Sequence, residues 1–222
     1  MSDIAGNIIA VKKQIPSHVK LVAVSKLKPP EDIREAYNFG HKIFGENRVH
    51  ELTGKAVILP DDVEWHFIGH LQSNKVKFIV PFVHMIQSVD SFKLLKVINK
   101  EAYKNSRVID CLLQFYIAKE ETKYGFSPEE AAEMLQSDEF RELMNVRICG
   151  VMGMASFVDD QEQVRNEFIN LRNIFQILKD EYFSGNKEFK EISMGMSGDY
   201  MIAVEEGSTI IRLGTKIFTE NS

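Results

Sequence analysis

Residues 21–26 read LVAVSK, a short apolar run rich in β-branched residues that ends in a serine and a lysine. Seven further runs of this kind follow, and a turn with a segment of helical periodicity comes after nearly every one. The eight predicted strands cover residues 21–25, 43–46, 65–68, 85–89, 108–117, 146–155, 191–195 and 209–214. Alternation of strands and helices predicts a parallel sheet, and continuously apolar strands predict burial on both faces.

Eight strand–helix units in 222 residues predict a single (β/α)8 TIM barrel, at the short end of the ~200–400 residues typical of that fold. The predicted helices between strands cover residues 31–39, 47–58, 73–80, 91–105, 128–144, 160–182 and 199–206. Before the first strand, Ile4, Ile8, Val11 and Ile15 follow a helical period, which predicts an extra N-terminal helix packed on the barrel. No linker or repeat divides the chain, so residues 1–222 are interpreted as one domain.

The alternative fold is an open doubly wound sheet. Its dinucleotide-binding fingerprint, GxGxxG after the first strand, is absent from this sequence, which favours the barrel.

The composition is that of an ordinary globular protein, with 44% hydrophobic and 27% charged residues. A net charge of −5 lacks the basic excess that nucleic-acid binding needs, so nucleic acid is excluded as a main partner. Cys111 and Cys149 each lie in an apolar run, which indicates reduced core thiols in a cytoplasmic protein. No secretory signal and no apolar stretch approaching ~20 residues is present, so we expect a soluble protein without a membrane partner.

Reactive groups in a TIM barrel lie at the C-terminal ends of the strands, and Lys26 stands directly after the first strand. One interpretation is a lysine that merely extends into solvent. The other is a Schiff-base lysine, whose pKa falls on partial burial so that the neutral amine can attack an aldehyde. Lys26 alone does not decide between them.

The loops after the seventh and eighth strands form the usual phosphate site of this fold, and here they read SMGMSGD at 193–199 and RLGT at 212–215. Small residues admit backbone N–H groups to a phosphate, while Ser197 and Thr215 add hydroxyls. A helix starting near Asp199, interpreted as an acid at the helix N-terminus, directs its positive end at the anion. A phosphate site with a lysine at the rim is typical of a pyridoxal phosphate site or of a Schiff-base aldolase acting on a sugar phosphate, and these features do not separate the two.

Asn47 and His66 are candidates to contact a flat ring or its hydroxyl, and a hydrogen-bonded core histidine is the alternative for His66. His66 and His70 are four residues apart, but no carboxylate pattern on a helix accompanies them, so we predict no metal site.

At these residues the sequence resembles the pyridoxal phosphate homeostasis protein family. The matching segments are LVAVSK at 21–26, FGENRVHEL at 44–52, WHFIGHLQSNKVK at 65–77, GVMGMA at 150–155, SMGMSGDY at 193–200 and GSTIIRLGTKIF at 207–218. The resemblance implies the barrel of the alanine racemase N-terminal domain, with pyridoxal 5'-phosphate bound as an aldimine on Lys26. It further implies that Asn47 lies near the ring, that Arg212 faces the pyridine nitrogen, and that the phosphate is bound by Ser197, Gly198, Gly214 and Thr215.

Arg212 bears on the chemistry as well. An arginine is always charged and only donates, so it leaves the pyridine nitrogen unprotonated and the ring a weak electron sink. The sequence also ends just after the eighth strand, without the second domain that completes the alanine racemase site. These features predict a protein of pyridoxal phosphate homeostasis that buffers or delivers the cofactor with little or no catalysis.

The predicted barrel, the lysine and the phosphate loops also bear on the partners and on the competing functions. We expect a monomer, and pyridoxal phosphate-dependent apoenzymes are the hypothesised recipients. The alternatives are a pyridoxal phosphate-dependent racemase or decarboxylase and a cofactor-free aldolase. Residues 116–125, which read YIAKEETKYG, depart from the pattern common in the family after strand five, so no role is assigned to that loop.

Overall fold

The computed structural model describes residues 3–118 and 124–219. Its eight parallel strands close into a barrel in sequence order, with the first strand paired to the last. The strands are β1 (Lys20–Val24), β2 (Ile43–Glu46), β3 (Glu64–Phe67), β4 (Met85–Val89), β5 (Ile109–Gln114), β6 (Val146–Met152), β7 (Glu191–Ser193) and β8 (Ile210–Leu213). The predicted (β/α)8 barrel is therefore confirmed, and each predicted strand overlaps an observed one.

Helices follow the strands and cover the outside of the barrel. They are α1 (Ile4–Gln14), α2 (Pro30–Asn38), α3 (Val49–Ile58), α4 (Val76–Ile79), α5 (Phe92–Lys104), α6 (Pro128–Gln136), α7 (Asp138–Arg141), α8 (Gln161–Glu181), α9 (Tyr200–Glu205) and α10 (Thr215–Phe218), with a 3₁₀ turn at Ser73–Lys75. The predicted N-terminal helix is α1.

One predicted helix, over residues 128–144, is wrong in its extent. The structure divides it into α6 and α7 at Ser137, whose φ of −70° and ψ of 147° are extended. The Ser137 hydroxyl accepts a hydrogen bond from the Phe140 N–H and so begins a second helix. Serine competes with the helix for local backbone groups, an effect that hydrophobic periodicity does not register.

Two layers of apolar side chains build the core. A small cluster fills the barrel interior: Val22, Met85, Leu112, Cys149, Met152 and Ile210. A larger one lies between strands and helices and includes Ile4, Ile8 and Val11 of α1. The Asn7 amide of α1 donates to the carbonyls of Ile217 and Thr219, at 3.0 and 3.2 Å, and ties α1 to the segment after β8.

Both cysteines are free and buried, as the sequence predicts for core thiols. Burial raises the pKa of the Cys149 thiol to about 12 and holds that of the Cys111 thiol well above its usual value, so neither is a reactive thiolate at neutral pH. Among the helices of the described residues, none combines the length and the apolar character needed to cross a membrane.

Candidate functional site

The predicted site residues lie at the C-terminal ends of four strands, an end of the barrel that we call the mouth. Lys26 follows β1, Asn47 follows β2, Ser197 and Gly198 follow β7, and the segment 212–215 ends β8. Because β7, β8, β1 and β2 are successive neighbours around the barrel, these positions form one continuous arc. The opposite, N-terminal end of the barrel is called the floor.

Lys26 occupies a tight turn. The Lys28 N–H donates to the Ser25 carbonyl at 3.0 Å, and Leu27 has a φ of +62°, which a type II turn requires at its third position. Lys26 is exposed and makes no hydrogen bond or ion pair within residues 3–118 and 124–219. The expected partial burial is thus not found, and the amine is accessible at the mouth.

A buried ion pair supports this turn from below. The Glu46 carboxylate, fully buried at the end of β2, accepts from Lys55 Nζ at 2.6 Å and from Ser25 Oγ at 2.7 Å. Lys55 Nζ also donates to the Ser25 carbonyl at 2.8 Å, and the Leu27 N–H donates to Glu51 at 2.8 Å. Burial raises the pKa of Glu46, while the hydrogen bonds from Lys55 and Ser25 oppose that shift. Helix α3 thereby fixes the backbone on both sides of Lys26.

Sequence reasoning missed the role of Lys55. It lies nine residues after Glu46, on a helix rather than on the strand, and no local spacing rule joins the two.

Asn47 carries an unsatisfied group. Its Oδ1 is buried and, among the described residues, accepts no hydrogen bond. The backbone of Asn47 lies close to Gly69. Only glycine permits this approach, since a Cβ at position 69 would lie 2.4 Å from the Asn47 carbonyl oxygen. Glu46 Oε2, one residue away, is also buried without a donor, and a water or a ligand hydroxyl fits the requirement of Asn47 Oδ1.

The loop after β7 is shaped by Gly195 and Asp199. Gly195 has a φ of +98°, and a Cβ there would lie 2.7 Å from that of Ala203. The Asp199 carboxylate accepts from the Met196 N–H at 2.5 Å, and burial raises its pKa. Asp199 is thus an acid directly before α9, as predicted. A Cβ at Gly198 would meet only open space.

The β8 loop completes this end of the arc. Gly214 immediately precedes α10, and Thr215 is exposed at its first position. Ser197, across from it on the β7 loop, is half-buried. Both loops therefore present small and hydroxyl-bearing residues at the mouth, the residue types that backbone-built phosphate sites use.

Arg212 heads a line of buried polar side chains that crosses the barrel interior. Its Nη1 donates to Ser193 Oγ at 2.6 Å and its Nη2 to the Gly153 carbonyl at 3.0 Å. Ser193 Oγ donates to Gln87 Oε1 at 2.6 Å, and Gln87 Nε2 contacts His66 Nδ1 at 2.8 Å. We call Arg212, Ser193, Gln87 and His66 the relay. Burial lowers the pKa of Arg212 to about 10, so it remains charged at neutral pH.

The hydrogen bonds of the relay run in one direction in this structure. Arginine only donates, so the Ser193 hydroxyl accepts from it and gives its own hydrogen to the Gln87 carbonyl. The Gln87 amide nitrogen therefore faces His66 Nδ1, and the ring hydrogen lies on Nε2. Burial lowers the pKa of His66 to about 3. His66 is thus the hydrogen-bonded core histidine of the two alternatives, not a residue of the mouth.

Known proteins resemble this chain over its whole length. The family model for the alanine racemase N-terminal domain matches residues 1–222. The pyridoxal phosphate homeostasis protein of Aquifex aeolicus is 45% identical over 202 residues, which is 90% of this chain and 86% of that protein. Its namesake from Vibrio alginolyticus is 35% identical over 233 residues, 98% of this chain and 97% of that one. The structure of PipY from Synechococcus elongatus, with PLP bound, is similar with a TM-score of 0.87 at 34% identity, covering 97% of this chain and 100% of that chain.

Proposed function

The chain belongs to the alanine racemase N-terminal domain family and, within it, to the pyridoxal phosphate homeostasis proteins, and from this premise we propose that it binds pyridoxal 5'-phosphate and buffers or delivers it with little or no catalysis. The observation that carries the proposal is the accessible amine of Lys26 on the same arc as the unsatisfied Asn47 Oδ1. When bound, the cofactor would supply three groups: a ring hydroxyl, a phosphate and an aldehyde. The aldehyde is the group that condenses with an amine.

In this proposal each residue of the arc has a distinct task. Lys26 supplies the amine, on a turn that Glu46 and Lys55 hold in place. Asn47 Oδ1 accepts a hydrogen bond from the ring hydroxyl. The phosphate is bound by the small and hydroxyl-bearing residues of the two loops, Ser197, Gly198, Gly214 and Thr215.

Arg212 supports storage of the cofactor over its use in catalysis. Its guanidinium donates to Ser193 and to the Gly153 carbonyl, and its pKa of about 10 keeps it charged. Facing the pyridine nitrogen, it donates a hydrogen bond and does not transfer its proton. An unprotonated ring withdraws electrons weakly, which disfavours the carbanion that racemases and decarboxylases need.

The setting of the protein forms part of the same proposal. We infer a cytoplasmic monomer of one domain, residues 1–222, that passes the cofactor to apoenzymes. Two free, buried thiols suit a reducing compartment, and the exposure of Lys26 leaves the amine accessible for exchange.

Visible absorbance of the purified protein with added pyridoxal phosphate, followed by borohydride trapping, tests this function. We expect a band from lysine-linked cofactor, and one trapped cofactor per chain, in the natural protein. Lys26→Ala removes both. Lys28→Ala is the matched control, since Lys28 lies in the same turn but donates to the Phe218 carbonyl at 2.9 Å, and it retains them.

Two results contradict the proposal. A band that survives Lys26→Ala shows that another amine holds the cofactor, and no band in the natural protein shows that the site does not bind it. Steady turnover of an amino acid that is lost with Lys26→Ala establishes the racemase or decarboxylase alternative instead.

A further inference from the structure

Three potential metal ligands converge on the floor of the barrel, at the end opposite to Lys26. Glu64 and His66 both lie on β3, and His84 directly precedes β4. One ligating atom from each of the three side chains lies within 4.8 Å of the other two. They border a cavity of about 90 Å³. Sequence spacing pairs His66 with His70, whereas the parallel pairing of β3 with β4 brings His84 beside it.

These side chains have unusually little else to bind. Within the described ranges, neither Glu64 nor His84 makes a side-chain hydrogen bond or ion pair, and His66 is bonded only through Nδ1. His66 is itself only 2% exposed and borders the cavity, and its second ring nitrogen, Nε2, makes no hydrogen bond to the described residues.

Some other charged side chains at the same cavity have partners, whereas Glu188 and Lys190, which are exposed, have none among the described residues. Lys20 Nζ contacts the Glu191 carboxylate at 2.7 Å, and Asp110 contacts Arg147 at 2.6 Å.

We propose that the floor binds one divalent transition-metal ion of the Zn²⁺ class through His66 Nε2, a ring nitrogen of His84 and the Glu64 carboxylate. Two imidazoles and one carboxylate suit Zn²⁺, and solvent completes the coordination. Ligand atoms around a tetrahedral Zn²⁺ lie ~3.4 Å apart, so ligand atoms that lie within 4.8 Å of one another need to close by about 1.4 Å at most. His84 is exposed and Glu64 half-buried, and both side chains have room to make that movement.

Metal binding requires the relay to reverse. The hydrogen of the His66 ring moves from Nε2 to Nδ1, so Nε2 presents a lone pair and the ring releases no proton. The Gln87 amide turns over, and its carbonyl then accepts from Nδ1. Ser193 Oγ now accepts from both Gln87 and Arg212, and its own hydroxyl hydrogen loses its acceptor. The natural glutamine thus weakens the site by one hydrogen bond.

Because metal binding at His66 depends on the hydrogen bond from residue 87, a substitution at Gln87 changes the affinity of this site and not that of a nonspecific surface site. Gln87→Glu places a carboxylate between Ser193 and His66 that accepts from both, as in carboxylate–histidine–zinc arrangements. Outer groups of this kind change metal affinity by about 10–100-fold, so we expect Gln87→Glu to tighten binding by about tenfold or more.

The experiment is a titration of the tag-free protein with Zn²⁺ by calorimetry and with Co²⁺ by visible absorbance, both without cofactor. We expect one equivalent of metal to bind, and His84→Ala and Glu64→Gln to weaken binding at least about tenfold. His50→Gln, which removes an exposed histidine on α3, leaves binding unchanged.

Absence of saturable binding at one equivalent overturns the proposal, and so does an unchanged affinity in His84→Ala. Because His84 is exposed, that variant keeps the test valid even if Gln87→Glu does not fold. The titrations need no pyridoxal phosphate, so their failure leaves the function proposed for the mouth untouched, and failure of that function leaves the metal site untouched.

Discussion

The mouth and the floor of this barrel each contain a lysine–glutamate ion pair, but the two lysines differ in exposure to solvent. At the mouth, Glu46 and Lys55 form an ion pair with almost no exposure, directly under the turn that carries Lys26. At the floor, Lys20 pairs with Glu191 while remaining 44% exposed. TIM barrels place chemistry at the C-terminal ends of strands, and here the buried pair lies where a loop must be held still. The comparison teaches that the exposed lysine depends on buried charge beneath it.

The largest expected effect comes from breaking each pair in the same way. Lys55→Met leaves Glu46 buried without its cation, and we expect the free energy of unfolding to fall by about 3–5 kcal/mol. Lys20→Met removes a half-exposed cation from Glu191, whose side chain is 5% exposed but still accepts a hydrogen bond from Thr209 Oγ1, so we expect a smaller loss. Urea unfolding of both variants measures the difference. Equal losses would contradict the contrast, and Lys55→Met combined with Glu46→Gln recovers part of the mouth's loss because it removes the unpaired charge.

The second prediction concerns acid. His41, before β2 on the floor side, is buried, and burial lowers its pKa from 6.5 to about 4. Between these values the unfolded chain binds a proton at His41 that the folded chain excludes, so the free energy of unfolding falls as the pH falls. We expect His41 to lower the free energy of unfolding by about 2–3 kcal/mol as the pH falls from 6.5 to 4. Glu46 at the mouth has a raised pKa and contributes with the opposite sign.

Urea unfolding at several pH values checks this, with His41→Gln as the test variant. His41→Gln keeps a donor for the Ile43 carbonyl, which His41 Nε2 contacts at 2.9 Å, but it does not titrate. We expect it to lose less stability than the natural protein between pH 6.5 and pH 4. Identical pH profiles would show that His41 is protonated equally in both states.

The smallest effect comes from two positions with positive φ. Leu27 at the mouth has a φ of +62° and is 73% exposed, so Leu27→Gly relieves backbone strain at the loss of little packing. We expect the free energy of unfolding to rise by about 0.5 kcal/mol, since the flexibility of glycine in the unfolded chain offsets part of the relieved backbone strain. Gly40 on the floor side has a φ of +98° with open space around it, and Gly40→Ala costs about 1 kcal/mol. Thermal unfolding measures both, and a loss in Leu27→Gly contradicts the assignment of strain.

The barrel was predictable from the sequence because strand burial and helix periodicity are local patterns. The N-terminal helix shows why, since Ile4, Ile8 and Val11 mark its buried face without reference to any partner. The break at Ser137 was not predictable in this way, because a single capping hydroxyl determines it, and the four residues of α10 are too few to show a helical period.

The arc of the mouth was also predictable, since neighbouring parallel strands bring their loops together. Contacts between side chains of different elements were not predictable. Lys55 reaches Glu46 from a helix, and His66 meets His84 from the next strand and Gln87 from inside the barrel. Each depends on three-dimensional register, which residue spacing does not encode. Residues 119–123 of the loop after β5 lie outside the described residues, so its role stays unassigned.

The tie between α1 and the end of β8 bears on the order in which the protein folds. Asn7 is made early in synthesis, but the carbonyls that it binds lie 210 and 212 residues further along the chain. The pairing of β1 with β8 spans a similar length, and contacts of such sequence separation are slow to form. The arc from Lys26 to Thr215 crosses this seam. A growing chain therefore has no complete arc until its last strand is in place, and a ligand that binds at the arc favours the closed barrel over every partly folded form.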